Sequence, residues 1–213
     1  MSETSTPFLQ HHFTEMEQQV DTGKLGMWLF LVTEVLLFGG LFVGYALMAA
    51  RHPAGFHAGH LHLDRVLGTF NTVVLLTSSF TMVMAVLSAR ENRRKGVIVF
   101  LVLTLLLAGV FLGVKYVEYS HKFHEGLLPG KYYTHPGQDA RGESMFFSFY
   151  FMMTGLHGVH ILAGMGVMIW LLGRARRGDF SSSYYAPVDL GGLYWHLVDI
   201  IWIYLFPLLY LIG

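Results

Sequence analysis

Long apolar blocks constrain this chain more than any other feature of its sequence. An α-helix of about 20 residues spans the roughly 30 Å hydrocarbon core of a bilayer, and the sequence contains five nearly uncharged blocks of at least that length. They lie at about residues 24–48, 66–89, 96–119, 144–172 and 190–212. The sequence therefore predicts an all-α integral membrane bundle of five transmembrane helices.

The same pattern divides the chain into two parts and predicts its orientation. Residues 1–23 form a polar N-terminal segment, and residues 24–213 form the transmembrane domain. The short loops after the second and fourth blocks contain the basic runs RENRRK and RARR. Because cytoplasmic loops carry an excess of Lys and Arg, we expect a cytoplasmic N-terminus and an external C-terminus.

The composition excludes several classes of function. Charged residues make up 13% of the 213 residues, with 14 basic and 14 acidic side chains and no cysteine. The absence of cysteine excludes disulfides, thiol nucleophiles, iron–sulfur clusters and cysteine zinc sites. The sequence also contains no phosphate loop, nucleophile elbow, zincin motif or dinucleotide fingerprint. We therefore expect no catalytic site and no nucleic-acid partner on this chain.

Ionisable residues inside the predicted spans are candidate functional positions, because a charge in hydrocarbon is costly. Five of them lie in the first, fourth and fifth blocks: Glu34, His157, His160, His196 and Asp199. Within the fourth block and within the fifth, the two residues are spaced i, i+3 and share one side of a helix. We expect one buried polar layer in the inner half of the bilayer, in which histidines are the partners of Glu34.

This layer has several interpretations. A hydrogen-bonded network would fix helix packing and contact water or a lipid headgroup. Imidazoles at one-turn spacing also ligate zinc, copper or iron, which would suit a small membrane cytochrome with bis-histidine haem or a quinol-binding protein. A proton path or a small transporter would use Glu34, although no internal repeat is visible. We favour the network, since a metal site needs three or more converging ligands.

Polar and aromatic residues toward the outer end add further expectations. Lys115 and Glu118, spaced i, i+3, predict a local ion pair with snorkelling side chains, or a contact to a partner subunit or lipid headgroup. The run FFSFYFMM at 146–153 suits a lipid-facing or partner-facing surface. Tyrosines near the span ends, among them Tyr45 and Tyr210, predict interfacial belts.

Five ordered motifs in these segments resemble cytochrome c oxidase subunit III, a core subunit of haem–copper oxidases. WLFLVTEVLLFGGLF resembles the family segment with a buried glutamate, which falls on Glu34, and GVKYVEY has Glu118 at the family's acidic position. FFSFYFMMTGLHGVHILAG resembles the paired-histidine helix, and YWHLVDIIWIYLFPLLYL resembles the closing helix. LGTFNTVVLLTSSFTM resembles the second of the five helices. The similarity runs from Lys24 to the C-terminus.

The resemblance implies an accessory, non-catalytic subunit of a proton-pumping terminal oxidase in a bacterial plasma membrane. Members of the family bind no haem or copper, which lie in subunits I and II. They pack on subunit I, hold phospholipid in an intramembrane cleft, and sustain proton uptake and turnover stability. The resemblance then places Glu34 and His157 in a polar layer near lipid, with His160 and His196 supporting it.

The resemblance leaves two alternatives open. The family includes subunits of quinol oxidases and relatives associated with nitric oxide reductases, so electrons could come from cytochrome c or from a quinol. Many members have seven spans, and this sequence matches the last five. The family's lipid cleft would then be open to bulk lipid or completed by helices of another subunit.

Overall fold

The computed structural model describes residues 9–11, 13–129, 132–134 and 139–212. Within these ranges the chain forms six α-helices and one π-helical turn. The helices are α1 (Met16–Arg51), α2 (Pro53–Leu61), α3 (Arg65–Arg90), α4 (Arg94–His124), α5 (Ala140–Arg177) and α6 (Ala186–Phe206), and the π-helical turn Pro207–Leu211 continues α6.

The predicted five-helix membrane bundle is confirmed. Over the part of the chain that the structure describes, five helices are long and apolar enough to cross a membrane, namely α1, α3, α4, α5 and α6 with its π-helical turn. Helix α1 begins at Met16, so the polar N-terminal segment contributes its last residues to the first helix. Residues 1–8 and 12 of that segment lie outside the described residues.

Helix α6 is central in the bundle and α1 is peripheral. In the most apolar window of each helix, 56% of the α6 residues are buried but only 11% of the α1 residues. Trp195 and Trp202 of α6 are completely buried. Their indole nitrogens donate to Ser78 at 2.9 Å and to Thr72 at 3.0 Å, both on α3. These hydrogen bonds let two large amphipathic rings fill the centre of the bundle without leaving a polar atom unpaired.

Helix α2 lies across the start of α5 and packs against Phe146, the first residue of the aromatic run at 146–153. A Cβ atom on Gly55 of α2 would lie 2.6 Å from the Cα atom of Gly142, so the two backbones pack in direct contact. Phe146, Phe147, Tyr150 and Met153 are buried, four of the eight residues in the run. The expectation of a lipid-facing or partner-facing run is therefore wrong for these four. A short amphipathic helix that the sequence pattern did not indicate supplies part of their cover.

The helix ends follow from local sequence. The Asp64 carboxylate accepts from the backbone N–H groups of Val66 and Leu67 at 2.8 and 3.1 Å and caps α3. Gly178 ends α5 with a φ of 85°, a left-handed conformation that favours glycine. Pro207 has no N–H group to continue the α-helical ladder, and the chain passes from α6 into the π-helical turn at this residue.

Candidate functional site

The five ionisable residues expected in one polar layer lie at three separate places. Glu34 and His160 meet between α1 and α5. His157 is enclosed beside α4 and α6, and His196 and Asp199 lie against α3. Residues three apart on an α-helix point about 60° apart around its axis. That angle is enough for neighbouring histidines to reach different helices, which is why the predicted single cluster is divided.

Glu34 and His160 form an ion-pair geometry at the edge of the bundle. Glu34 Oε2 lies 2.8 Å from His160 Nε2, and the side chains are 13% and 12% exposed. His160 Nδ1 lies 2.8 Å from the carbonyl oxygen of Leu156, which only accepts, so Nδ1 carries a hydrogen. One further proton therefore lies between Oε2 and Nε2. The Tyr194 hydroxyl donates to the carbonyl of His160 at 2.9 Å and fixes this part of α5 against α6.

His157 packs as an aromatic ring. It stacks on Trp202 with centroids 5.3 Å apart and meets the Phe111 ring edge-on at 5.7 Å. Neither ring nitrogen has a hydrogen-bond partner among the described residues. The described residues also contain no group of three or more His, Asp or Glu side chains that could hold a metal ion. The arrangement around His157 is that of helix packing.

Lys115 and Glu118 of α4 form the predicted ion pair, but the pair is buried inside the bundle. Lys115 Nζ donates to Glu118 Oε2 at 2.9 Å, to Tyr210 at 2.8 Å and to Tyr150 at 3.3 Å. The Tyr210 hydroxyl donates to Glu118 Oε1 at 2.6 Å. The charged side chains are 9% and 3% exposed, so the expected snorkelling is wrong. We call these four residues the Lys115 network.

The tyrosines of the network explain why the pair is buried. Two hydroxyls and the face of Trp202, 5.0 Å from Lys115 Nζ, replace the water that a snorkelling side chain would seek. Tyr210 therefore belongs to the core, and its expected place in an interfacial belt is wrong. No sequence pattern joins Tyr150 to Tyr210, because the contact depends on how α5 and the end of α6 pack.

His196 and Asp199 face α3, where Ser79 lies between them. His196 Nδ1 is 2.7 Å from the Ser79 hydroxyl oxygen. The same hydroxyl is the polar neighbour of the Asp199 carboxyl group. Neither oxygen of that carboxyl group has a hydrogen bond of ordinary geometry within the described residues, and Asp199 is only 3% exposed. Ser79 is a site residue that the search for ionisable groups missed.

A second missed contact ties α1 and α2 to the chain's C-terminal turn. His60 Nδ1 donates to the carbonyl of Leu209 at 2.7 Å, and Nε2 lies 3.0 Å from the Tyr45 hydroxyl. That hydroxyl donates to the carbonyl of Leu208 at 3.3 Å. Burial lowers the pKa of His60 below its ordinary value of 6.5, and the bond to Leu209 opposes this shift. Tyr45 is also buried, so its expected place in an interfacial belt is wrong.

Comparison with known proteins gives one consistent result. The model of the cytochrome c oxidase subunit III family matches residues 4–213. Quinol oxidase subunit 3 of Bacillus spizizenii is 33% identical over 201 residues, which cover 93% of this chain and 92% of the relative.

The names of two further relatives indicate different electron donors. Cytochrome bo(3) ubiquinol oxidase subunit 3 of Pseudomonas aeruginosa is 31% identical over 188 residues, covering 88% of this chain and 84% of the relative. Cytochrome c oxidase subunit 3 of Thermostichus vulcanus is 31% identical over 193 residues, covering 90% of this chain and 88% of the relative. The family match over almost the whole sequence, with relatives of this similarity, shows that the chain belongs to the cytochrome c oxidase subunit III family of the haem–copper oxidases.

Proposed function

We propose that the chain is the accessory, non-catalytic subunit of a proton-pumping terminal oxidase in a bacterial plasma membrane. Electron transfer to oxygen takes place on haem and copper in subunits I and II, and this chain packs on subunit I. The observation that carries the proposal is the match of residues 4–213 to the subunit III family. The N-terminal residues 1–23 are cytoplasmic, the five spans of residues 24–213 follow, and the C-terminus is external.

The exposed side of α1 supports a contact surface for phospholipid and subunit I. Leu25 and Leu29 are each 62% exposed, and Leu36 is 70% exposed. An apolar face of this kind needs hydrocarbon or another apolar helix against it. The Glu34–His160 pair lies at the edge of the same helix, partly open to whatever covers it.

Within this proposal the polar residues have different roles. Glu34 and His160 share a proton next to bound lipid and sustain proton uptake and turnover stability. The Lys115 network holds α4 to α5 and α6, because all of the contacts described for its charged atoms are internal. His157 supports the packing around Trp202. His196 and Asp199 belong to a separate polar group on the α3 side.

The role of Glu34 is tested in the purified oxidase that contains the chain. Glu34→Gln keeps the size of the side chain but removes its ionisable proton. We expect unchanged haem spectra and initial rates, with fewer turnovers before activity decays. Val35→Ala, an exposed neighbour on the same helix, is the matched control and should leave the turnover number unchanged. A Glu34→Gln oxidase that retains this subunit and lasts as many turnovers as wild type would refute the role.

A quinol oxidase is the second candidate, because two of the relatives above are named as quinol or ubiquinol oxidase subunits. Oxygen uptake by the purified complex with reduced quinol and with reduced cytochrome c distinguishes the two donors. Uptake with quinol alone would place the chain in a quinol oxidase. Consumption of nitric oxide rather than oxygen would place it with the relatives of nitric oxide reductases.

A further inference from the structure

A groove between α3 and α6 leads from the end of the bundle to His196. Its volume is about 280 Å³, and its walls are mainly the apolar side chains of Val83, Val86 and Leu193. Arg90 and Asp189 lie at one end, where the Arg90 guanidinium contacts the Asp189 carboxylate at 3.1 Å. The Arg90 side chain is 51% exposed, so this end is the polar mouth of the groove. The space is large enough for several water molecules.

A short chain of polar groups continues from the groove into the bundle. His196 lines the groove, and its Nδ1 lies 2.7 Å from the Ser79 hydroxyl. Ser79 also lies near the carboxyl group of Asp199, but no hydrogen bond of ordinary geometry joins the two among the described residues, so this last link needs a bridging water or a small side-chain rotation. Ser79 precedes Arg90 on α3 by 11 residues, which at 1.5 Å per residue places it about 16 Å from the mouth. The polar chain therefore starts at the groove and ends at a buried acid.

Within the described part of the chain, no Lys or Arg side chain is paired with Asp199 to balance a negative charge. Among the described groups that face α6, Arg90 is bound to Asp189, Glu34 and His160 are paired with each other, and the His157 ring is packed on Trp202. Lys115 is bound to Glu118. An unpaired carboxylate in a membrane interior binds a proton rather than remain charged. The Asp199 residue is only 3% exposed, so water does not reach it directly.

We propose that Asp199 is a proton-binding site that exchanges with the aqueous phase through Ser79, His196 and water in the α3/α6 groove. A hydronium ion in the groove protonates the imidazole and is left as water. The Nδ1 proton then passes to the Ser79 oxygen as the Ser79 hydroxyl proton passes, directly or through a bridging water, to the Asp199 carboxylate. The neutral acid and a neutral imidazole result. The reverse sequence returns the proton to the groove. The site requires neither the Glu34–His160 pair nor bound lipid.

Infrared spectroscopy tests this site on the full chain, purified with the subunits that accompany it and placed in phosphatidylethanolamine–phosphatidylglycerol bilayers. A protonated Asp199 gives a carboxylic acid C=O stretching band that Asp199→Asn removes. Transfer into D₂O should shift the band to lower frequency as the proton exchanges. Ser79→Ala removes one hydrogen-bonded step, and we expect exchange to slow by about tenfold.

Two matched variants test the route. Val83→Phe fills the α3/α6 groove, and Val35→Phe fills a groove of about 260 Å³ between α1 and α6. Both valines are exposed, at 47% and 57%. We expect Val83→Phe to slow the deuterium shift by about tenfold, as for the loss of one relay contact, and Val35→Phe to leave it unchanged.

Three results would overturn the proposal. A wild-type spectrum that Asp199→Asn leaves unchanged would mean that Asp199 carries no proton. A band that does not shift in D₂O would mean that the acid is sealed from water. Equal exchange rates in wild type, Ser79→Ala and Val83→Phe would mean that protons reach Asp199 by another path. The Ser79 and Val83 variants keep the test valid if Asp199→Asn fails to fold.

Discussion

Helices α4 and α1 are tied into the bundle by ion pairs of different kinds. Lys115 and Glu118 of α4 are 9% and 3% exposed, and two tyrosine hydroxyls complete their hydrogen bonding. Glu34 of α1 has His160 as its hydrogen-bond partner in the described structure, and both side chains are 12–13% exposed. In the first pair, side chains of the same chain supply the hydrogen-bond partners of the charged atoms. The second leaves room for a lipid or a subunit at its edge.

The first is a charge pair enclosed within the chain, and the second is a charge pair at the edge of the bundle that we propose to lie at an interface. Burying a charge costs free energy that only complete hydrogen bonding and an opposite charge offset. The Lys115 network provides the hydrogen bonds and the opposite charge. Its removal should therefore lower mainly the stability of the folded chain. Glu34 lies on α1, the helix whose apolar window is least buried. Removal of the Glu34–His160 pair should therefore affect mainly the activity of the assembled oxidase.

The largest loss of stability is expected when only one charge of the Lys115–Glu118 pair is removed. Lys115→Met leaves Glu118 buried without its cation, and we expect the free energy of unfolding to fall by about 3–5 kcal/mol. Lys115→Met with Glu118→Gln removes both charges and should recover a large part of that loss. Denaturant unfolding in detergent micelles measures both variants. Equal losses in the single and double variants would show that the charges are not coupled.

An intermediate loss of stability is expected where His60 attaches the C-terminal end of α1 to the last turn of the chain. His60→Gln removes the bonds to Tyr45 and Leu209, which should cost about 1–2 kcal/mol. Because burial lowers the pKa of His60 below 6.5, the unfolded state binds more protons than the folded state as the pH falls through that range. The contribution of His60 is therefore complete above pH 6.5 and is lost as the pH falls toward its lowered pKa.

Amide hydrogen exchange in α2 measures this pH dependence. Protection in the wild type should fall as the pH is lowered below about 6.5, and His60→Gln should remove the part of that fall due to this residue. His57→Gln, at an exposed position of the same helix, is the control. A fall of the same size in wild type and His60→Gln would assign the pH response to other groups.

The smallest effect on stability is expected at Glu34. Glu34→Gln replaces a mostly buried pair at the edge of the bundle by a neutral hydrogen bond, so the free energy of unfolding should change by about 1 kcal/mol or less. The same unfolding assay provides the measurement, with Glu118→Gln as the buried counterpart. A loss at Glu34 as large as that at Lys115 would remove the distinction between a structural and an interface pair.

The sequence predicts the fold better than the contacts of the polar residues. Span length alone indicates five helices, because a bilayer fixes how many residues must be apolar. A carboxyl group in a membrane needs a partner or a proton, so pairing of Glu34 with a histidine could be predicted, but the choice of His160 over His157 depends on the rotation of α5. Tyr210 and Ser79 carry no sign of their roles in the sequence, since their contacts join distant helices. The four buried residues at 146–153 show the same limit, because composition does not reveal which helices pack against them.

Purification of the tagged chain in mild detergent tests the central claim most directly. The sample is analysed by mass spectrometry and by a reduced-minus-oxidised spectrum, before and after the subunits are dissociated. We expect haem–copper subunits I and II to accompany the chain and the separated chain to carry no haem. A chain that purifies without those subunits and keeps its own haem would contradict the account and make its histidines ligands.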